Sequence, residues 1–153
     1  VNCRELLDEL IAWFADQSKF EIIVETDMPT LHIARTSLLQ IFLNLLNNAI
    51  KHHDRDHGIV RISCTSTDDE FLFEVSDDGP GVPADYRKRI FTMFETLSRR
   101  DDVEGSGVGL TIVERLVDSL DGRVELVESE GRGATFHVAL PRRFEIQESA
   151  DAS

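Results

Sequence analysis

The chain has 153 residues, 41% of them hydrophobic, which is enough for one domain with a real core. A formal net charge of −13 argues against general affinity for nucleic acid or for an anionic membrane surface, and no apolar run approaches the roughly 20 residues of a membrane span. Cys3 and Cys64 lie far apart with no C-x-x-C pairing, so neither a zinc site nor a disulfide framework is suggested and a reducing compartment is the default. The N-terminus lacks a basic-then-apolar signal pattern, and a start at Val1 rather than Met suggests a piece of a longer protein.

Asn2 can cap a helix with Glu5 reaching back, and Cys3, Leu6, Leu7, Leu10, Ile11 and Phe14 recur at helical spacing, which predicts an amphipathic helix to about Gln17. Phe20 to Glu25 and Leu31 to Ala34 read as short strands split by a turn around Asp27 and Pro29. Ser37 to Gln40 matches a capping box at the start of the central helix, and the polar stretch Asp54 to Gly58 is expected to stop it. Val60, Ile62 and Cys64, then Phe71, Phe73 and Val75, alternate with more polar residues on either side of a turn at Thr67 to Asp69, which predicts a hairpin. After it come Asp77-Asp78-Gly79-Pro80-Gly81, a short helix from Pro83 to Phe91 and a polar stretch from Thr92 to Glu104. Gly105 to Leu110 then opens a helix carrying Gly109, Ile112, Val113, Leu116, Val117 and Leu120 on one face. Arg123 to Glu128 and Ala134 to Leu140 read as a closing hairpin, with Pro141 breaking the last strand. The expected domain covers residues 1–144, and 145–153 are expected to form a disordered tail.

The central helix inverts the usual surface pattern. At 100° per residue, Gln40, Asn44, Asn47, Asn48 and Lys51 share one narrow stripe, and almost every other position is apolar. A helix apolar on most sides is buried, so its polar stripe must face a cleft, a partner or a ligand. Amide oxygens suit a hard cation such as Mg²⁺, and a nearby Lys suits the phosphates that accompany it. That pattern predicts a nucleotide cleft.

Two further stretches fit a nucleotide. The period of two places Asp77 on the buried face of its strand, where a carboxylate needs donors, and Gly79 and Gly81 would let a flat ring approach the backbone. Gly105, Gly107 and Gly109 before a helix suit a phosphate, although the pattern is neither the dinucleotide fingerprint nor a Walker loop. A turn-forming Asp and a glycine hinge are the plain alternatives for each feature alone. The five histidines read as mostly structural, with His52 and His53 complementing the helix dipole, and none stands at metal-ligand spacing.

Together the motifs resemble the GHKL ATP-binding domains, and within them the catalytic and ATP-binding domain of sensor histidine kinases. Asn44 to Lys51 is similar to the N box, Asp77-x-Gly79-x-Gly81 to the first glycine box and Ile90-Phe91-x-x-Phe94 to the F box. Gly105-x-Gly107-x-Gly109-Leu110 is similar to the second glycine box and Gly131-x-Gly133-Ala134-Thr135-Phe136 to the last, so that the resemblance runs from about Val1 to Leu140. It implies an α/β fold, the two-layer Bergerat sandwich, in which a mixed, mainly antiparallel sheet carries helices on one face.

The same resemblance implies ATP and Mg²⁺ as cofactors. It makes Asn48 the metal ligand and Asn44 and Lys51 the catalytic residues beside the phosphates. Asp77 would take the adenine amino group, with Gly79 and Gly81 near the ring and Thr135 supporting the network. Phe94, Gly105, Gly107, Gly109 and Leu110 complete the implied nucleotide contacts, with residues 92–106 as an ATP lid. The implied reaction transfers the γ-phosphoryl group to a His on a separate dimerisation domain, which is absent here, and from there to the receiver domain of a response regulator. A cytoplasmic location and a homodimeric parent follow from the same likeness, without nucleic acid or direct membrane contact.

Two positions depart from relatives of this type. Where hydrolytic members carry a water-activating Glu, this chain has Asn44, which disfavours an ATPase. Where many kinases carry an Arg after the F box, it has Thr96, leaving Arg99 or Arg100 to supply that charge. A serine kinase that also binds a sigma factor is a competing reading, opposed by the F box and the N-terminal helix. A degenerate regulator-docking module is another, opposed by Asn48, Asp77 and the glycine boxes.

Overall fold

A computed structural model describes residues 1–16, 18–51, 53–80, 106–127 and 133–146. Helix α1 (Cys3–Ala15) starts where Asn2 Oδ1 accepts the Glu5 N–H at 3.2 Å, one of the amide hydrogens that a helix start leaves unpaired. Its Cys3, Leu6, Leu7, Leu10 and Phe14 are buried, at the spacing that puts them on one face. Strand β1 (Lys19–Val24) follows, burying Phe20 and Ile22 and exposing Lys19 and Glu21. Helix α2 (Arg35–Lys51) begins before the expected capping box: Ala34 O accepts the N–H groups of Ser37 and Leu38, so Ser37 lies inside the first turn.

Strands β2 (His57–Ser66) and β3 (Glu70–Asp77) form the predicted hairpin, closed by Thr67 and Glu70 and registered with Val60 opposite Asp77. Gly58, expected to help end the preceding helix, is instead in β2 opposite Phe20. Among the described residues, helix α3 (Ser106–Ser119), strand β4 (Arg123–Val127) and strand β5 (Thr135–Pro141) follow, and a 3-10 turn spans Arg142–Phe144. The sheet order is β1-β2-β3-β5-β4; β1 and β2 run parallel, joined through α2, and the remaining pairs are antiparallel.

Two expectations need correction. Leu31 to Ala34 is not a strand: Leu31 makes a single bridge to Glu145 and its N–H is taken by Val1 O, so the segment pairs with residues near the two ends of the described chain and not with the sheet. Residues 145 and 146, assigned to the tail, are held by the chain: Glu145 bridges Leu31, and Ile146 N–H reaches Thr30 O at 2.9 Å.

The helices lie on one face of the sheet. One apolar cluster joins Leu6, Leu7 and Phe14 of α1, Ile41, Phe42 and Leu45 of α2 and Val113 and Val117 of α3 to Val60, Ile62, Phe73, Val75, Phe136 and Val138 of the sheet. Phe42 meets Phe73 edge-on at 5.5 Å between ring centres. Burial of each large side chain is worth about 1.5–3 kcal/mol, and this core packs the apolar sides of α2 against the sheet and α3. Among the described residues no helix is long and apolar enough to cross a membrane.

Candidate nucleotide-binding site

The stripe on α2 is as polar in place as in sequence: Gln40 and Lys51 are exposed, Asn44, Asn47 and Asn48 half-buried, while Leu38, Ile41, Phe42, Leu45, Leu46 and Ala49 are buried. Asn44 turns its Nδ2 back on its own helix, donating to Gln40 O at 2.6 Å. Its Oδ1 faces α3, 3.2 Å from where a Cβ on Gly109 would stand, so the absence of a side chain at Gly109 sets how closely the two helices meet. Asn48 Oδ1 is buried and, among the described residues, accepts no hydrogen bond. An orphaned buried acceptor costs about 1–3 kcal/mol, and a hard cation is one chemistry that would satisfy it. Lys51 closes α2, where a cation complements the helix dipole.

Asp77 ends β3 beside this helix. Its N–H donates to Ala134 O at 3.0 Å, and its Oδ1 accepts the N–H groups of Gly79 at 2.8 Å and Ala134 at 3.3 Å. Among the described residues nothing donates to Oδ2. Burial pushes the Asp77 carboxyl above its usual range, against the pull of the two backbone donors and of His53. Gly133, at φ 106°, is required here: a Cβ would stand 1.9 Å from Asp77 O, so only glycine lets β5 run this close.

The Thr135 and Leu110 side chains lie apart from Asp77. Thr135 sits opposite Ser76 with their hydroxyls 2.7 Å apart; alternation puts that pair on the sheet face away from the Asp77 side chain, and Ala134 is the neighbour that reaches Asp77. The Leu110 side chain is fully buried in the core, where it anchors α3. Gly79 is buried in the Asp77 turn, and Gly107 is the second residue of α3. Gly81, Phe91, Phe94, Thr96, Arg99, Arg100, Gly105 and the expected lid, apart from Ser106, lie outside the described residues.

Sequence reasoning missed a second layer beneath Asp77. The His53 side chain is fully shielded from solvent, with Nε2 2.7 Å from Asp78 Oδ1, and that same oxygen accepts the Ile59 N–H at 3.1 Å. Desolvation works against the Asp78 charge, but the Ile59 N–H and His53 outweigh it and hold the carboxyl below its usual range. A signal was present in Gly58, a glycine at the start of a strand, which often marks a close approach. A Cβ there would come within 2.6 Å of both Asp78 Oδ1 and His53 Nε2.

A sequence profile of the histidine kinase-, DNA gyrase B- and HSP90-like ATPases matches residues 33–143. The chain belongs to this family. Cyanobacterial phytochrome A of Nostoc sp. is 35% identical over 119 residues, 78% of this chain and 16% of that protein. The adaptive-response sensory kinase SasA of a Synechococcus strain is 33% identical over 141 residues, 91% of this chain and 37% of that protein. The chain thus spans well under half the length of these relatives. Among solved structures, full-length ShkA in complex with AMPPNP superposes with a TM-score of 0.74 at 30% identity, covering 96% of this chain and 31% of that one. The mycobacterial sensor histidine kinase MprB does so with a TM-score of 0.74 at 26% identity, covering 92% and 95%. The expected fold is therefore present: a mixed five-stranded sheet with helices on one face, as in histidine-kinase ATP-binding domains. Nucleotide binding goes with membership of this ATPase family.

Proposed function

We propose that this chain is the ATP-binding catalytic domain of a two-component sensor histidine kinase, holding Mg-ATP for phosphoryl transfer to a His on a separate dimerisation domain. The observation that carries this reading is a pair of acceptors on adjoining elements to which nothing among the described residues donates. Asp77 Oδ2, backed by two N–H groups on Oδ1, suits the amino group of adenine, and the orphaned Asn48 Oδ1 suits a cation. Asn48 would hold Mg²⁺, which when bound neutralises phosphate charge. Lys51 stands at the open end of α2, where an ammonium can meet phosphate oxygens. AMPPNP bound to ShkA is a fact of that protein; it supports the same class of ligand here.

Asn44 favours transfer over hydrolysis. Its amide cannot accept a proton from water, and its nitrogen is already committed to Gln40 O. In the proposed reaction the acceptor imidazole nitrogen forms a bond to the γ-phosphorus, the bond to the bridging oxygen breaks, and ADP leaves. The protein's share is orientation and charge compensation. The partners of this reading are the phosphoacceptor domain of the same kinase, in a cytoplasmic homodimeric parent, and a response regulator receiver domain that takes the phosphoryl group onto Asp.

Calorimetric titration with AMPPNP, with and without Mg²⁺ and beside a guanine analogue, tests the site. Mg-dependent, adenine-selective binding is expected, and folded protein that binds neither nucleotide would refute the reading and leave a docking module. Labelled phosphate from ATP should then appear on a supplied dimerisation domain and not on a serine protein.

A further inference from the structure

We infer that His53 is a positioning residue of the adenine pocket, acting through Asp78 on the carboxylate of Asp77. The inference rests on the proposed role of Asp77 as the acceptor for the adenine amino group. Arg55 N–H points at His53 Nδ1 at 3.0 Å, so Nδ1 is the acceptor nitrogen and Nε2 carries the hydrogen donated to Asp78. The Asp54 carboxylate lies 3.3 Å from Nδ1, and whichever state that nitrogen takes, the Asp78 carboxylate oxygen accepts from Nε2–H. A helix-end histidine serving only the dipole would extend toward water. This ring is fully buried, stands edge-on to Phe20 at 5.1 Å, and uses both nitrogens.

The chain of contacts runs on to the pocket. Asp78 Oδ1 has two donors, His53 Nε2 and Ile59 N–H, which fix the turn that carries Gly79. Gly79 N–H in turn holds Asp77 Oδ1 at 2.8 Å and so leaves Oδ2 as the outward oxygen. Loss of the His53 donor frees the turn to swing, and the Asp77 carboxylate can then rotate away from the geometry that selects an amino group. Because His53 lies two residues past the end of α2, with its N–H on Ile50 O at 3.4 Å, it also joins the helix that carries Asn48 to the turn that carries Asp77.

The test compares Mg-AMPPNP with the corresponding inosine nucleotide, which carries an oxo group where adenine carries the amino group. His53→Phe keeps a ring and removes both nitrogens, whereas His53→Gln keeps an N–H near the Nε2 position. His53→Phe is expected to lower the adenine-to-hypoxanthine affinity ratio about tenfold, the weight of one well-placed hydrogen bond, with inosine binding unchanged; His53→Gln is expected to recover most of it. Asp78→Ala should give the same loss, and adding it to His53→Phe should cost nothing further. Equal weakening of both nucleotides, an unchanged ratio, or losses that multiply in the double variant would overturn the inference. Should His53→Phe lack a cooperative thermal transition, Asp78→Ala and His53→Gln carry the comparison. A wild-type chain without adenine preference would refute the role of Asp77 and the inference with it, whereas a preference that survives His53→Phe refutes the inference alone.

Discussion

Asp77 carries a conflict between stability and use. Burial raises its carboxyl above the ordinary value, so the stability tied to this group is present in full below the unfolded value of about 3.9 and is lost as the pH climbs through the folded one. At neutral pH the ionised side chain therefore works against the unliganded fold. Asp77→Asn keeps an oxygen for Gly79 and Ala134 but replaces Oδ2 with a donor. Its melting temperature is expected to exceed that of the wild type at pH 7, the gap narrowing toward pH 4, while adenine selectivity in titration is abolished. A variant less stable than wild type at pH 7 would contradict this account. Asp77 was legible because a period of two carried the buried face of β3 straight to it. Its donors were not, since the Ala134 N–H comes from a strand that local periodicity cannot align.

At the scale of elements, α2 was readable because its pattern is inverted, and a polar stripe on an otherwise apolar helix has few uses. Its neighbour α3 was readable as a helix, but the packing at two of its positions was not. Gly109, expected to offer its N–H to phosphate, also has a packing role between helices from its place opposite Asn44 Oδ1. Leu110, chosen with the same box, belongs to the core. Gly109→Ala should gain about 0.5–1 kcal/mol of helix propensity while pressing a methyl group on Asn44 at 3.2 Å. The expected outcome is a melting temperature that holds or rises and an affinity for Mg-AMPPNP that falls several-fold. Unchanged affinity would mean that Asn44 is free to move aside without consequence. Thr135 was chosen for a hydroxyl in the right box, but strand alternation assigns it to the other face, which only register could reveal.

Across the whole molecule, the two ends of the described chain are stitched to one segment. Leu31 N–H bonds Val1 O, His32 N–H bonds Phe144 O, and Ile146 N–H bonds Thr30 O, while Arg142 reaches Thr67 O at 2.7 Å. Local patterns made Leu31 to Ala34 look like a strand and residues 145–146 a tail, because pairing between distant segments leaves no periodic trace. Truncation after Pro141 removes the C-terminal bonds, each worth about 0.5–1.5 kcal/mol. The melting temperature is expected to fall by about 4–8 °C, at roughly 2–4 °C per kcal/mol for a chain of this size, with nucleotide affinity retained. A truncated chain that melts with the wild type would show these contacts to be idle.

The strand order has a consequence for how the molecule opens. Strands β2, β3, β5 and β4 are joined by antiparallel pairings, whereas β1 is attached along one edge through the parallel pairing that encloses α2. As an edge strand β1 is held by this one pairing, whereas β3 and β5 are each paired on both sides, so β1 is placed to detach before the middle of the sheet opens. Amide hydrogens of Ile22 and Ile23 should then exchange with solvent through a partial opening that leaves Phe73 and Val138 protected. Because α2 lies in the connection between β1 and β2, a chain caught in that partly opened form would keep most of its sheet and lose its grip on nucleotide.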